Sequence, residues 1–292
     1  MSDPNDMSGA QLVTVVPGFY QDLSPRTVSG QRFGFLLDTV RAYHQLNLAN
    51  SAAFPLVVVD RSSKNVHEQV REAVRECGSA YFLDGAPSGG IFPQSAYGIR
   101  FALDHGATRL ARHAPEKEGW ARINLLHPII SELDGGVDLL AVGRNQVAMN
   151  QLPANQRVSE SVIWRLLGRL KHAATGTYLC EDSASGYRAM TAAGAKHLLT
   201  FDWELYGAQW QFEWISYMQA IEQGRIKAGG LLLPFLTSSL TFDMENGNPY
   251  FDENRVMQAA DVVLPQVLAY ALANGWELDR DPRIQWSVHL NN

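Results

Sequence analysis

Cysteine is scarce in this chain, with only Cys77 and Cys180 among 292 residues. Two cysteines are too few for a disulfide framework, and they lack the paired spacing of a metal site. We therefore expect each to be a small core residue in a protein of a reducing compartment.

Long apolar runs and an excess of positive charge are also missing. The uncharged runs, such as residues 262–276, are shorter than the roughly 20 apolar residues that a membrane-spanning helix needs. The first ten residues lack the basic-then-apolar layout of a signal peptide. A net charge of −6 gives no electrostatic footprint for nucleic acid. We expect a soluble cytoplasmic protein with no transmembrane segment and no nucleic-acid partner.

The composition is that of a folded chain, with 46% apolar and 18% charged residues. No internal repeat, low-complexity tract or convincing linker divides it. We expect a flexible tail over residues 1–10 and a single domain over residues 11–292.

Strand and helix patterns alternate through the first half of the chain. Predicted strands cover Leu12–Val16, Leu56–Asp60, Ala80–Leu83, Thr108–Ala111 and Val137–Val142. Helical faces lie between them, and Ser29 is a candidate cap for the first helix. This alternation predicts an α/β protein with a mostly parallel central sheet and helices on both faces.

The second half is less regular. Helical patterns cover residues 158–170, 189–199, 208–222 and 255–273, while residues 225–242 resemble a strand pair or an edge strand.

Several candidate ligand residues fall at predicted strand ends. They are Pro17, Asp60, the glycine-rich turn 85–90, His113 and Arg144. Since open parallel sheets bind ligands at the carboxyl ends of their strands, this coincidence indicates a ligand site there.

The segment Glu181-Asp182-Ser183-Ala184-Ser185-Gly186-Tyr187-Arg188 carries an acidic pair into a Ser-Gly-aromatic-Arg turn. Such carboxylates could deprotonate a hydroxyl, and Gly186 permits close backbone approach to a ligand. A surface turn with an acidic helix cap is an equally good interpretation of the segment alone.

Four segments occur in an order that resembles one enzyme family: 13–17 (VTVVP), 56–63 (LVVVDRSS), 182–189 (DSASGYRA) and 212–234, which holds Gly-Arg-Ile and Leu-Pro. They resemble the glycosyltransferase A-type fold, in particular the inverting family that includes dolichyl-phosphate mannose synthases. The likeness covers residues 11–240 and implies a nucleotide-sugar donor and a small-molecule, glycan or lipid-linked acceptor.

By this resemblance, residues 11–150 would form the nucleotide-sugar-binding half and residues 151–292 the acceptor half. Asp60 would hydrogen-bond the base, and Pro17 and Gly18 would line the same pocket. Asp182 would be the catalytic base, with Glu181 as its neighbour. Gly89 and Gly90 could bring backbone N–H groups to the ribose or phosphates, or form an ordinary turn before the next helix.

The chain departs from the family where an Asp-x-Asp usually holds a divalent metal. Only Glu116, with His113, could serve there as ligands for Mg²⁺ or Mn²⁺, so a metal cofactor is left open. The alternative is direct neutralisation of the diphosphate by Arg112, Lys117 and Arg144.

For the acceptor, the candidates are Arg188, which could brace the Asp182 segment instead, and Trp210 and Trp214, which could stack a sugar or simply pack. Two other functions compete. One is a sugar-phosphate nucleotidyltransferase, which the Pro17–Asp22 loop disfavours because it lacks Arg and Lys. The other is a degenerate nucleotide-sugar-binding protein. The sugar, the stereochemical outcome and the oligomeric state stay open.

Overall fold

A computed structural model describes residues 6–51, 53–78, 80–115, 117–152, 157, 163, 166–179, 186–235 and 264–279. The first half contains β1 (Val13–Gly18), α1 (Val28–Ala49), β2 (Leu56–Asp60), α2 (Lys64–Cys77), β3 (Tyr81–Leu83), α3 (Ile91–Asp104), β4 (Arg109–Arg112), a 3₁₀ turn (Glu118–Trp120), α4 (Ile123–Asp134), β5 (Leu139–Arg144) and α5 (Gln146–Met149). The second half contains β6 (Leu170–His172), β7 (Tyr187–Thr191), α6 (Ala192–Leu198), α7 (Trp203–Tyr206), α8 (Phe212–Gln223), β8 (Ala228–Leu233), α9 (Leu264–Ala273) and β9 (Trp276–Leu278).

A seven-stranded sheet in the order β3-β2-β1-β4-β7-β5-β8 organises these elements. Its neighbouring pairs are parallel except at β7, which runs antiparallel to both β4 and β5. The predicted α/β class with a mostly parallel sheet is therefore confirmed. A second, two-stranded sheet joins β6 and β9 in antiparallel fashion.

Helices cover both faces of the large sheet, because its strands are apolar on both sides. Along β2, Val57 and Val59 enter the core layer that contains α3, α6, α8 and α9, while Leu56 and Val58 enter the layer of α1, α2 and α4. Every residue of β1, β2 and β5 is buried. This is the pattern that buried parallel strands require.

Close contact between α3 and the sheet depends on a glycine. A Cβ built on Gly98 would lie 2.5 Å from Val15 Cγ1 and 2.7 Å from Val59 Cγ2. The missing side chain lets α3 sit directly on β1 and β2, beneath the ends of those strands. The start of α3 is thereby fixed next to the predicted ligand site.

Two sequence predictions of local structure were wrong. Thr27, not Ser29, caps α1, because its side chain accepts from the N–H of Gly30, while Ser29 Oγ accepts from the N–H groups of Gln21 and Asp22. The predicted helix 189–199 begins only at Ala192, because residues 187–191 form β7. Pairing with strands on both sides outweighs the helix preference of Ala189 and Met190.

The edge-strand interpretation of residues 225–242 is confirmed for β8, which lies at one edge of the sheet. The tail prediction fails for Met7, which is buried in a core layer with its N–H bonded to the carbonyl of His105. Among the described helices, none is both long and apolar enough to cross a bilayer.

Candidate functional site

The carboxyl edge of the sheet, as we call it, is formed by the C-terminal ends of β1 to β5 and β8 and by the N-terminal end of β7. The strand register brings five chemistry-bearing residues to it: Gly18, Asp60, Arg112, Arg144 and Gly186. With about 4.8 Å between neighbouring strands, Asp60 on β2 and Arg144 on β5 lie roughly 19 Å apart across four intervals. A ligand that reached both would have to lie along the edge.

Pro17, Gly18 and Asp60 come together as the sequence predicts, since Gly18 pairs directly with Asp60 across β1 and β2. The carbonyl of Gly18 accepts from Gln94 Nε2 at 2.7 Å and from the N–H of Arg61 at 3.2 Å. Gln94 is itself buried on α3. The backbone at the end of β1 is therefore held in place by the neighbouring strand and helix.

The Asp60 carboxylate is buried and surrounded by donors. Its Oδ1 accepts from Ser62 Oγ at 2.7 Å, and its Oδ2 accepts from the N–H of Ser62 at 3.3 Å and faces His67 Nδ1 at 2.8 Å. Ser62 Oγ in turn accepts from the N–H of Tyr20 at 2.8 Å. These bonds fix the orientation of the Asp60 carboxylate.

A second carboxylate, Asp84, lies on the far side of His67. His67 Nε2 is 2.9 Å from Asp84 Oδ1, and Arg71 also bonds this oxygen. Burial alone would lower the pKa of His67, but hydrogen bonds and charges from Asp84 and Asp60 outweigh it and raise the pKa. Hydrogen bonds from His67 and Arg71 lower the pKa of Asp84 despite slight burial. At the end of β2 and β3 lies a carboxylate–imidazole–carboxylate bridge.

The glycine-rich loop that follows Asp84 packs against the segment between α7 and α8. Gly90 has a φ of 139° and would place a Cβ 2.5 Å from the carbonyl oxygen of Ala208, so only glycine fits there. The N–H of Phe92, in the first turn of α3, bonds the same carbonyl at 2.9 Å. Gly89 is exposed, and a Cβ there would lie 3.7 Å from the ring of Trp203.

Arg112, at the end of β4, is buried in an ion pair with Glu213 of α8. Its guanidinium also donates to Ser95 Oγ and to the carbonyl of Gly186, each at 3.2 Å. The ring of Trp210 lies over it, 5.1 Å from the guanidinium carbon. Protein groups thus surround Arg112, and in this arrangement it braces the start of β7 instead of facing a diphosphate.

Arg188 joins the same cluster from β7. It donates to the main-chain carbonyls of Glu213 and Tyr187, and its Nη2 lies 3.7 Å from the Glu213 carboxylate. Both Arg188 and Trp214 are buried. Neither presents itself to an acceptor, so bracing is the better interpretation of Arg188 and packing that of Trp214. Trp210 is half-buried over Arg112.

His113, a predicted metal ligand, is buried between two aromatic rings. It stacks on Tyr43 at 6.0 Å and on Tyr187 at 5.5 Å between centroids. Its Nδ1 donates to the carbonyl of Ala114 at 2.7 Å, and its Nε2 accepts from the Tyr43 hydroxyl at 3.2 Å. Burial raises the pKa of Tyr43, which keeps this hydroxyl protonated. Both ring nitrogens are therefore engaged, and no lone pair faces a metal.

A metal site does not emerge from the parts of the chain that the structure describes. Within them, no three His, Cys, Asp or Glu side chains are grouped so as to hold an ion. Glu116, Glu181 and Asp182 lie outside the described residues. The described donor set alone thus does not fit a divalent cation.

Lys117 and Arg144 lie toward the other end of the carboxyl edge. Arg144 pairs in register with Leu233 at the end of β8, and Lys117 Nζ lies 5.8 Å from the ring centroid of Phe235 just beyond that strand. Arg144 is buried and Lys117 is half-buried. Of the three cations that the sequence predicts for the diphosphate, Arg112 is therefore bonded within the protein, while Lys117 and Arg144 lie together farther along the edge.

No family model and no curated protein matches this chain. Among solved structures it is similar to one described as a nucleotide-diphospho-sugar transferase from Desulfovibrio desulfuricans, with 9% identity over 91% of this chain and 98% of the other and a TM-score of 0.44. A cytidylyltransferase from Leptospira borgpetersenii gives 10% identity over 79% of each chain and a TM-score of 0.43. A mannosyltransferase from Pyrobaculum calidifontis in complex with GDP-Man and Mn²⁺ gives 11% identity, 94% and 77% coverage, and a TM-score of 0.39.

Sequence reasoning did not single out His67 or Glu213. His67 sits one turn into the helix after the Asp60 strand, at the carboxyl edge, where a titratable side chain can turn back to the strand end. That position in the sequence could have identified His67 as a candidate site residue. Glu213 offered no such signal, because its partner Arg112 is 101 residues away in the chain.

Proposed function

We propose that this protein is a glycosyltransferase that binds a nucleoside diphosphate sugar along the carboxyl edge and transfers the sugar to a hydroxyl acceptor. One observation carries the proposal. The oriented carboxylate of Asp60, the glycine-rich loop and the start of β7, which follows the acidic Glu181–Asp182 pair in the chain, belong to the same edge of the sheet. In an open parallel sheet this edge is where ligands bind.

The donor's nucleoside end fits the β1–β2 side of the edge. Asp60 is a hydrogen-bond acceptor whose orientation is set by Ser62 and His67, so it can receive an N–H of a base without reorganising. Gly18 lies beside it in register. The exposed Gly89 lets the main chain approach the ribose or the phosphates closely.

Asp182 is the proposed general base, with Glu181 as its neighbour. In the reaction, the acceptor hydroxyl gives its proton to the carboxylate while its oxygen bonds the anomeric carbon of the sugar. The bond from that carbon to the diphosphate oxygen breaks, and the nucleoside diphosphate leaves with the bonding electrons. A positioned base typically contributes 10²–10⁴-fold to such a step.

The departing diphosphate needs compensating charge, because an unpaired charge in a dry site is costly. We assign this role to the cationic side chains of Lys117 and Arg144. Both lie on the β5–β8 side, away from Asp60, as the far end of an extended donor would.

A thermal-shift screen against UDP-, GDP-, ADP- and dTDP-sugars, with and without Mg²⁺ or Mn²⁺, tests donor binding directly, because a ligand that binds only the folded state raises Tm. Transfer and donor hydrolysis are then measured with the sugar that binds. Binding without either activity would favour the degenerate nucleotide-sugar-binding protein. A shift in no condition would contradict the proposal.

Two variants separate the assigned roles. Asp182→Asn should lower kcat by at least about 10², while nucleotide affinity stays within a few-fold, since a base acts in the transition state. Asp60→Asn should instead weaken nucleotide binding by about 10-fold or more, the effect of one hydrogen bond to a charged group. Asp38→Asn, on the exposed face of α1, is the matched control and should change neither quantity. Equal losses of binding and turnover in Asp182→Asn would refute its assignment as base.

A further inference from the structure

The bridge through His67 has the geometry of a protonated imidazole. Its two ring nitrogens lie 2.8 Å from Asp60 Oδ2 and 2.9 Å from Asp84 Oδ1. A neutral imidazole donates from only one nitrogen, so one carboxylate would then face a lone pair. Only the imidazolium, which donates from both nitrogens, satisfies both carboxylates at once.

The charged groups around His67 favour this state. Asp60 comes from β2, Asp84 from the end of β3, and Arg71 from the same helix as His67, where it bonds Asp84 and lies 3.2 Å from Glu68. The Phe82 ring of β3 packs against the imidazole at 5.1 Å between centroids. The His67 side chain is 14% exposed, so its interactions with the carboxylates are only partly screened.

The two carboxylates that His67 joins belong to different parts of the proposed donor site. Asp60 ends β2 and is buried, and its carboxylate is bonded by His67 and by the neighbouring Ser62. Asp84 lies directly before the glycine-rich loop, and its carbonyl accepts from the Tyr97 hydroxyl at 2.9 Å. His67 is therefore the side chain that links the strand end to the loop.

We propose that His67 is a positioning residue for donor binding, which holds the Asp60 carboxylate and the glycine-rich loop in one arrangement while its imidazole is protonated. This inference rests on the proposed function, since Asp60 is the group assigned to the nucleoside. When His67 loses its proton, the remaining proton stays on Nδ1, because an unpaired buried Asp60 costs more than an unpaired, 61%-exposed Asp84. Arg71 stays paired with Asp84, so the connection between Asp60 and Asp84 through His67 weakens while Asp84 stays in place.

Calorimetric titration with UDP and GDP at several pH values between 5.5 and 9 tests the role. His67→Gln keeps a hydrogen-bonding side chain but cannot donate to both carboxylates. At low pH this variant should bind UDP and GDP about tenfold more weakly than the wild type. That factor corresponds to the lower limit of the free energy of one hydrogen bond to a charged group. Wild-type affinity should fall as pH rises through the folded-state pKa of His67, whereas the variant should lack this dependence. In turnover, KM for the donor should rise with kcat unchanged.

His127→Gln is the matched control, since His127 is exposed on α4. It should bind like the wild type at every pH. Wild-type affinity and an unchanged pH profile in His67→Gln would overturn the inference.

An NMR titration of the imidazole nitrogens separates failure of this inference from failure of the proposed function. His67 should titrate above the ordinary histidine value, and Asp84→Asn should lower its pKa, because it removes a carboxylate and leaves Arg71 nearby. A wild-type protein that binds no nucleotide would refute the proposed function and the positioning role together, while the raised pKa would show that the bridge itself exists. An ordinary His67 pKa in a protein that does bind nucleotide would refute the bridge alone.

Discussion

Replacing Glu213 by glutamine tests the buried cluster that braces the start of β7. The Arg112 and Glu213 side chains are each 1% exposed, and that of Arg188 is 2% exposed. Glutamine keeps the shape of the side chain but removes the charge between two guanidinium groups. Breaking a buried ion pair in this way typically costs about 3–5 kcal/mol, because the remaining charge stays buried without its partner.

The expected loss is measurable by urea unfolding. The midpoint should fall while the slope m stays near the wild-type value, since the surface exposed on unfolding is unchanged. For a chain of 292 residues the unfolding entropy is about 0.6 kcal/mol/K, so the loss corresponds to roughly 5–8 °C in Tm. Asp38→Asn breaks the exposed Asp38–Arg41 pair and should change stability by less than about 1 kcal/mol.

A double-mutant cycle checks that the loss comes from this pair. If Arg112→Met and Glu213→Gln remove the same interaction, the double variant should be less destabilised than the sum of the two single variants by about 0.5–3 kcal/mol. A Glu213→Gln protein as stable as Asp38→Asn, or strict additivity in the cycle, would refute the assignment of Glu213 as the centre of the cluster.

Two further predictions concern the glycine-rich loop and the His67 bridge. Gly90→Ala should destabilise the protein by about 2 kcal/mol or more, from backbone strain and the clash with Ala208, whereas Gly34→Ala, in open space within α1, should stabilise it by about 0.5–1 kcal/mol. Similar stabilities for the two variants in urea would contradict the close packing at Gly90. For the bridge, the raised pKa of His67 stabilises the fold below its unfolded value near 6.5, and this contribution is lost as pH rises through the folded value. The lowered pKa of Asp84 stabilises the fold above its unfolded value near 3.8, and this contribution is lost as pH falls through the folded value. The stability difference between wild type and His67→Gln should therefore be largest between these two values, and a difference independent of pH would count against the bridge.

The parallel half of the fold was predictable because its strands are apolar on both sides. The run from Leu56 to Asp60 has no polar face, and such a strand fits only the interior of a sheet covered twice. Residues 187–191 could not be recognised in the same way, since Ala189 and Met190 are good helix formers. Their strand conformation comes from β4 and β5, which lie some 50 to 80 residues earlier in the chain.

The candidate site was predictable where one strand end carries the chemistry, as at Gly18 and Asp60. It was not predictable where two distant segments combine. His67 reaches Asp84, 17 residues later, only because β2 and β3 are neighbours, and the Arg112–Glu213 pair depends on how α8 packs on the sheet. Arg112 was accordingly expected to face a ligand, although the fold surrounds it with protein groups.

The antiparallel β7 also determines how this protein can be divided and made. It is the only strand that joins β4 to β5 in the described sheet, and it comes more than 40 residues after β5 in the chain. A polypeptide ending near residue 150 would leave β4 with one uncovered backbone edge and β5, which also pairs with β8, with two, and such edges are the kind of surface through which chains aggregate. During synthesis the edge of β4 and one edge of β5 stay uncovered until residues 187–191 leave the ribosome, and the other edge of β5 until residues 228–233 do. The first half is therefore a poor candidate for expression as a separate fragment.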